Sequence, residues 1–198
     1  MTTNPTTNPT TNPTNAQRRV LLQVAAGITA VGQLGLSGAS AAALKPKATG
    51  KAGDFDFLSG NWKIRHRQLK DKKWDQFEGE ASVVGILGGI ASVEELRIPA
   101  RNFSGMGLRI LDVEQKLWAD YWCNGKNGVL NPASWGSFID GAGTWDSDDV
   151  EDAKPILVRG VWDLITASSC RWRQMVSRDE GATWEENWIM HWQRATVP

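Results

Sequence analysis

The sequence predicts an all-β protein, an antiparallel up-and-down β-barrel of about nine to ten strands preceded by a disordered leader. The 198 residues include 11 tryptophans and 20 glycines, and no stretch has a long helical period, which favours β-structure. Short alternating segments follow one another between Gly, Asn, Asp and Pro turn signals. An open meander of this length exposes its edges, and closure into a barrel removes them.

Strands are predicted wherever alternation with a period of two persists between turn signals. The alternating segments are 61–70, 76–86, 90–98, 104–113, 116–124, 135–145, 155–163, 168–178 and 183–194. The connections between them are mostly short, so consecutive strands are expected to pair as hairpins.

The formal charges balance, because 22 Lys and Arg residues stand against 22 Asp and Glu residues. Proteins that bind nucleic acid by neutralising phosphates carry an excess of positive charge, so nucleic acid is not an expected partner. The apolar run that ends at Leu36 contains Gln23, Gln33 and three glycines. It is therefore too weakly hydrophobic for a stable membrane span.

Residues 1–43 differ in kind from the rest of the chain. A Thr/Asn/Pro repeat is followed by Arg18 and Arg19, an apolar run and an alanine-rich end. Proline at every fourth position blocks helix and sheet, so the repeat is expected to be disordered. The arginine pair before the apolar run predicts a twin-arginine-type signal peptide, with an ordinary signal peptide as the alternative. A flexible tether over 44–53 and the barrel domain over 54–198 follow, and we expect a bacterial protein, periplasmic or secreted, that meets the export machinery through its leader.

The first and last strands show the clearest division into two faces. In the first, Lys63, Arg65 and Arg67 favour water, which turns the opposite face inward. That inward face is Trp62, Ile64, His66 and Gln68. In the last strand the tryptophan-rich face gains most from burial, at roughly 1.5–3 kcal/mol per large side chain. It consists of Trp184, Glu186, Trp188, Met190, Trp192 and Arg194.

The same reasoning assigns inward faces to three further strands. Those faces are Met106, Leu108 and Ile110 in 104–113, Ile156, Val158 and Trp162 in 155–163, and Cys170, Trp172, Gln174 and Val176 in 168–178. Arg109 and Arg159 are then expected outside, where a cation stays solvated. In 116–124 the choice stays open between a face with Trp118, Asp120 and Trp122 and one with Leu117, Ala119, Tyr121 and Cys123.

Gly60-Asn61-Trp62 opens the first strand, and Arg194 closes the last. This combination resembles the calycin and lipocalin barrels, in which the tryptophan of Gly-x-Trp plugs the barrel floor and a late basic residue packs over it. A cation over an indole face is a favourable contact. The resemblance therefore implies a lipocalin-like barrel whose floor is made by Trp62 and Arg194.

A second resemblance covers nearly all of residues 54–194. The segment 55–62, the sequence His66-Arg67-Gln68-Leu69 and the segment 177–190 are similar to the opening and the final hairpin of the bacterial DUF1579-like family. That family has a lipocalin-like barrel and no settled activity. The resemblance therefore implies the fold and leaves the function open.

The first functional hypothesis is a barrel that binds a small apolar or aromatic molecule in its interior. The expected walls are Trp118, Trp122, Trp188, Met190 and Trp192, and the groups expected to orient the ligand are His66, Gln68 and Gln174. Polar groups are costly in a dry core, which favours a pocket over a solid, filled barrel. We expect no cofactor and no metal site, because the two cysteines are far in sequence from both histidines.

The alternatives are an enzyme and a haem protein. An isomerase, cyclase or hydrolase would use His66 as acid and base beside Asp120 or Glu94. A haem barrel would use His66, or His191 if the last strand were in the opposite register, as axial ligand. Ile64 and His66 stand where haem barrels with a similar opening carry glycine, which counts against haem.

Three local features complete the sequence predictions. The spacing Ser177-x-Asp179-x-Gly181-x-Thr183-Trp184 predicts a structural hairpin turn in which Asp179 accepts backbone N–H groups. The acidic segment 146–152 predicts a solvated loop rather than a calcium site. Cys123 and Cys170 are expected to be buried thiols, with a disulfide as the alternative.

Overall fold

Ten antiparallel strands form a closed barrel in the computed structural model, which describes residues 46–195. The strands are β1 (Gly60–Lys70), β2 (Lys73–Ile86), β3 (Ala91–Ile98), β4 (Phe103–Asp112), β5 (Leu117–Asn124), β6 (Val129–Leu130), β7 (Ser134–Ile139), β8 (Ala142–Glu151), β9 (Lys154–Asp163), β10 (Ser169–Ser177) and β11 (Glu185–Arg194). The short β6 pairs with β5 beside the ring, and the other ten strands make the wall. The all-β prediction is confirmed, whereas the predicted leader of residues 1–43 lies outside the described residues.

The wall follows the order of the chain. Each of its strands pairs antiparallel with the next, and β1 pairs with β11 to close the ring. Closure gives every wall strand a hydrogen-bonded neighbour on both sides, which removes the exposed edges that an open sheet would have. The predicted up-and-down order is therefore confirmed.

The segment predicted as one strand over 135–145 is two strands, so that prediction is wrong. β7 turns into β8 at Asp140 and Gly141, whose φ angles of 51° and 82° lie in the left-handed region of a two-residue hairpin. The prediction of a solvated loop over 146–152 is also wrong. β8 continues to Glu151 and pairs with β9 as far as that residue, and Arg159 donates two hydrogen bonds to Asp146 across the pair.

One end of the barrel is closed by the chain before β1. The backbone N–H of Gly50 donates to Lys116, and that of Gly53 donates to Gly89, so part of the segment predicted as a tether crosses this end. A short 3₁₀ turn, Asp56–Leu58, then leads into β1. This arrangement gives the barrel a closed end and leaves the opposite end to the β1–β2, β3–β4, β5–β7, β8–β9 and β10–β11 connections.

Trp62 and Arg194 meet at the closed end, where the lipocalin resemblance places them. Trp62 is 1 % exposed, and its indole N–H donates to the carbonyl of Leu58 over 2.7 Å. The Arg194 guanidinium lies 4.5 Å from the centre of the indole ring and donates to the carbonyls of Phe57 and Ser59. Arg194 therefore joins the last strand to the chain before β1.

The inward face predicted for β11 is wrong at its start. Asn187 is an extra residue, because Gln174 pairs with Trp188 while Met175 pairs with Glu186. Such a bulge reverses the side-chain alternation before it. Glu186 consequently accepts a hydrogen bond from Arg173, and the ring of Trp184 lies 4.0 Å from the Arg159 guanidinium rather than inside the barrel.

The turn between β10 and β11 has the predicted hydrogen bonds. Asp179 accepts from the backbone N–H and the hydroxyl of Thr183, and Gly181 has a φ of 91°. These bonds, with that of Ser177, lower the pKa of Asp179 to about 2. The motif therefore has a complete structural explanation.

Cys123 is half-buried and Cys170 is buried, and both are free thiols. Within residues 46–195, no helix combines the length and the apolar character that crossing a membrane requires.

Candidate functional site

The barrel contains a cavity of about 250 Å³ with a mainly aromatic wall. The indole rings that line it are those of Trp122, Trp145, Trp162, Trp172, Trp188 and Trp192, joined by the ring of Phe103. They come from β4, β5, β8, β9, β10 and β11, whose alternate residues point inward. Large apolar side chains thus surround the cavity without filling it.

Six of the eight residues predicted to bind a ligand line this cavity. They are Gln68, Trp122, Gln174, Trp188, Met190 and Trp192. Trp118 is fully buried nearer the closed end, where its indole N–H donates to Asp54 and its ring meets Phe55 edge-on. The other exception is His66, which packs into the wall itself.

His66 is held in place by its neighbours in the wall. Its ring stacks on Phe77 at 4.5 Å, its Nδ1 accepts from the indole of Trp188, and its Nε2 is turned toward Gly79. Burial and the nearby Arg101 guanidinium lower the pKa of His66 to about 3. The imidazole is therefore uncharged at neutral pH and lies outside the lining of the cavity.

Glu94 and Asp120, the two carboxylates considered beside His66, instead meet Arg109. Nη2 of Arg109 donates to Glu94 over 2.6 Å, and its Nε lies 3.6 Å from an oxygen of Asp120. Glu94, Arg109 and Asp120 occupy the neighbouring strands β3, β4 and β5, and the rings of Phe55 and Trp162 lie within 5.5 Å of the guanidinium. All three charged residues line the cavity.

The face predicted for β4 is wrong, because Arg109 points inward and is 4 % exposed whereas Ile110 is 39 % exposed. An inward cation between the strands that carry Glu94 and Asp120 neutralises charges that would be costly to bury alone. Two glycines on the same face make room, since a Cβ at Gly105 would overlap Trp122. The prediction compared apolar side chains alone and placed Met106, Leu108 and Ile110 inside.

Polar groups missed by the sequence reasoning line another part of the cavity. Asp149 and Ser147 reach it from β8, within the segment predicted as a loop, and Asn187 reaches it through the bulge in β11. The amide of Gln174 donates to Asn187 over 3.2 Å. The Asp140-Gly141 turn signal could have revealed the orientation of β8, whereas the bulge has no comparable signal.

The carboxyl of Asp120 is the most perturbed acid of the cavity. Burial raises its pKa to about 6; the Arg109 guanidinium opposes this shift, and the Glu94 carboxylate adds to it. These two residues are the charged groups that face Asp120 from β3 and β4. The folded protein therefore holds a proton on Asp120 in a pH range where the unfolded chain releases it.

We expect the wild-type protein to lose stability relative to Asp120→Asn as the pH rises from 3.8 to 6, the ordinary and folded pKa values of the group. A raised carboxyl pKa favours folding at low pH and opposes it above the folded pKa. One pKa unit corresponds to about 1.4 kcal/mol, so the change amounts to a few kcal/mol at most. Urea unfolding across this pH range measures the free energy of unfolding of both proteins. A difference between the two that stays constant with pH contradicts the raised pKa of Asp120.

The described residues offer few ligands for a metal ion or a haem iron. Within residues 46–195, no group of three or more His, Cys, Asp and Glu side chains is arranged to hold a metal ion. His191 is exposed on the outer face of β11, and His66 lies in the wall. Neither histidine presents a nitrogen to the cavity as an axial haem ligand would.

Comparisons with known proteins give a remote structural likeness. No family model and no curated protein matches the chain. A solved structure from Nostoc punctiforme, described as a protein of unknown function from the DUF3598 family, is 14 % identical with a TM-score of 0.42. The match covers 75 % of this chain and 51 % of that one, so the chain spans about half the length of that protein. The DUF1579-like resemblance stays a prediction.

Proposed function

We propose that the protein binds one small, ring-containing molecule in the cavity of its barrel. The observation that carries the proposal is the cavity itself, with six indole rings and a few polar groups around about 250 Å³. Binding sites for small molecules have this character, mostly apolar with a few polar groups that fix orientation. A dry cavity of about 150 Å³ accepts benzene, so this one has room for a single substituted ring.

The polar groups of the cavity support a ligand that is not purely hydrocarbon. The carboxylate of Asp120 accepts no hydrogen bond from a described residue, whereas the amides of Gln68 and Gln174, which also reach the cavity, are bonded to Arg101 and Asn187. Burying a carboxylate is favourable only when it has a polar partner. A ligand with one polar substituent on a ring satisfies this requirement.

The enzyme alternative receives less support. An acid–base catalyst works best with a pKa near the operating pH, whereas the pKa of His66 is about 3. The imidazole also stacks on Phe77 and bonds to Trp188 rather than to Asp120 or Glu94. Non-catalytic binding is therefore the function that the geometry supports best.

Filling the cavity is expected to abolish binding without unfolding the barrel. Gly160 lines the cavity, and the nearest atoms that a Cβ there would meet belong to Trp172, at 3.4 Å or more. Gly160→Leu therefore extends an apolar side chain into the cavity. With 2-phenylethanol as the probe, we expect a saturable change in tryptophan fluorescence in the wild type at micromolar concentration, about −8 kcal/mol of binding free energy, and none in Gly160→Leu.

Val150→Leu is the matched control, because Val150 lies on the outer face of β8 and is 50 % exposed. It adds the same kind of side chain outside the cavity and should leave binding unchanged. Thermal melting shows whether each variant is folded. A folded Gly160→Leu that binds 2-phenylethanol like the wild type would place the binding site elsewhere.

A further inference from the structure

The charges that the cavity presents to its interior are mainly negative. Its ionisable lining residues with formal charge are Glu94, Asp120, Asp149 and Arg109, three carboxyl groups against one guanidinium. Glu94 is bonded to Arg109 over 2.6 Å and Asp120 lies 3.6 Å from the same guanidinium, so one positive charge serves two carboxylates. Asp120 and Asp149 remain as the acids without a full counter-charge among the described lining residues.

The side chains of Asp120, Arg109 and Glu94 also differ in how far they are exposed. The side chain of Asp120 is 23 % exposed, whereas those of Arg109 and Glu94 are 5 % and 3 % exposed. Nε and Nη1 of Arg109 have no hydrogen-bond partner among the described residues, and both atoms are buried. A ligand in the cavity therefore meets the carboxylate before it meets the guanidinium.

The aromatic wall adds a second, independent attraction for positive charge. Indole faces carry negative electrostatic potential and bind ammonium groups most strongly among aromatic rings. Six such rings border the same cavity as Asp120 and Asp149. Aromatic rings combined with carboxylates are an arrangement suited to organic cations.

We propose, on the basis of the binding function inferred above, that the ligand is a small organic cation, an ammonium group attached to an aromatic or aliphatic ring. The ring packs among the indoles, and the ammonium lies within reach of Asp120 or Asp149. An anionic ligand would instead meet uncompensated carboxylates, and like charges placed together are costly.

The protonation of these acids is consistent with this assignment. Burial raises the pKa of Asp149 as well as that of Asp120. Among the described residues, Asp120 shares the charge of Arg109 with Glu94, and Asp149 accepts the backbone N–H of Val150, so neither acid has a full counter-charge of its own. A bound ammonium supplies that counter-charge and favours their ionisation.

Three probes with a common phenylethyl frame test the charge of the ligand: 2-phenylethylammonium, neutral 2-phenylethanol and anionic phenylacetate. We expect the ammonium to bind the wild-type protein at least tenfold more tightly than the alcohol at pH 7.5, and phenylacetate to bind more weakly than the alcohol. Calorimetry and tryptophan fluorescence give the three dissociation constants. Equal or weaker binding of the ammonium than of the alcohol overturns the inference and leaves the proposed function intact.

Variants of the two acids identify the groups responsible. Asp120→Asn and Asp149→Asn should each reduce the preference for the ammonium over the alcohol several-fold. Asp148→Asn is the matched control, since Asp148 is an exposed neighbour on the outer face of β8. If both cavity variants keep the wild-type preference, the assignment is wrong. If no probe binds the folded wild type, the proposed function fails with it.

Discussion

Replacing Arg109 with methionine is expected to lower the free energy of unfolding by about 3–5 kcal/mol at pH 7.5, the cost of breaking a buried ion pair from one side. The guanidinium is 4 % exposed and bonds to Glu94, and Asp120 lies 3.6 Å from its Nε. Methionine preserves much of the apolar volume but leaves two carboxylates without a cation. Urea unfolding followed by tryptophan fluorescence measures the loss.

Two further variants separate this charge effect from ordinary packing. Ile110→Ala changes the next residue of β4 on the outer face, where the side chain is 39 % exposed, and should cost well under the Arg109 change. Adding Glu94→Gln and Asp120→Asn to Arg109→Met should restore much of the lost stability, because no buried charge then lacks a partner. An Arg109→Met protein as stable as Ile110→Ala would show that the three charges do not interact as described.

Trp62→Ala is expected to cost a similar amount, about 3–5 kcal/mol, as large aromatic-to-alanine changes in cores do. Trp62 is 1 % exposed, packs edge-on against Trp192 and supports the guanidinium of Arg194. Its loss therefore leaves a cavity at the closed end and removes a cation–π contact as well.

Trp74→Ala is the comparison for this prediction. Trp74 lies on β2, is 37 % exposed and also has a cation over its ring, that of Arg67 at 4.6 Å. Truncation there removes the same atoms from a surface site, so the loss of stability should be much smaller. Equal melting temperatures for the two alanine variants would contradict the role of Trp62 as the barrel floor.

The closed barrel could be predicted because its signals are local. In β1, alternating cations mark the outer face at Lys63, Arg65 and Arg67, and the opposite residues are buried or half-buried as expected. Two-residue turns also have a local signature, which Asp140-Gly141 carries between β7 and β8. Strand existence and hairpin order depend on such short-range features.

The interior of the site depends on interactions that no single segment displays. Whether Arg109 points inward is decided by Glu94 and Asp120 on the two neighbouring strands, not by the alternation within β4. The bulge at Asn187 likewise reverses the face of Glu186, and no turn residue in the sequence indicates it. Six residues of the cavity wall, three tryptophans, two glutamines and Met190, were predictable from the strand pattern, whereas the placement of charge required the assembled barrel.

A crystal structure of the protein grown with saturating 2-phenylethylammonium tests the central claim most directly, because the claim concerns where a small molecule binds. The account predicts one probe molecule inside the barrel, its ring against the cavity indoles and its nitrogen near Asp120 or Asp149. A structure in which the interior holds no probe while fluorescence and calorimetry show saturable binding, or in which the probe lies on the outer surface alone, would contradict a binding site inside the barrel.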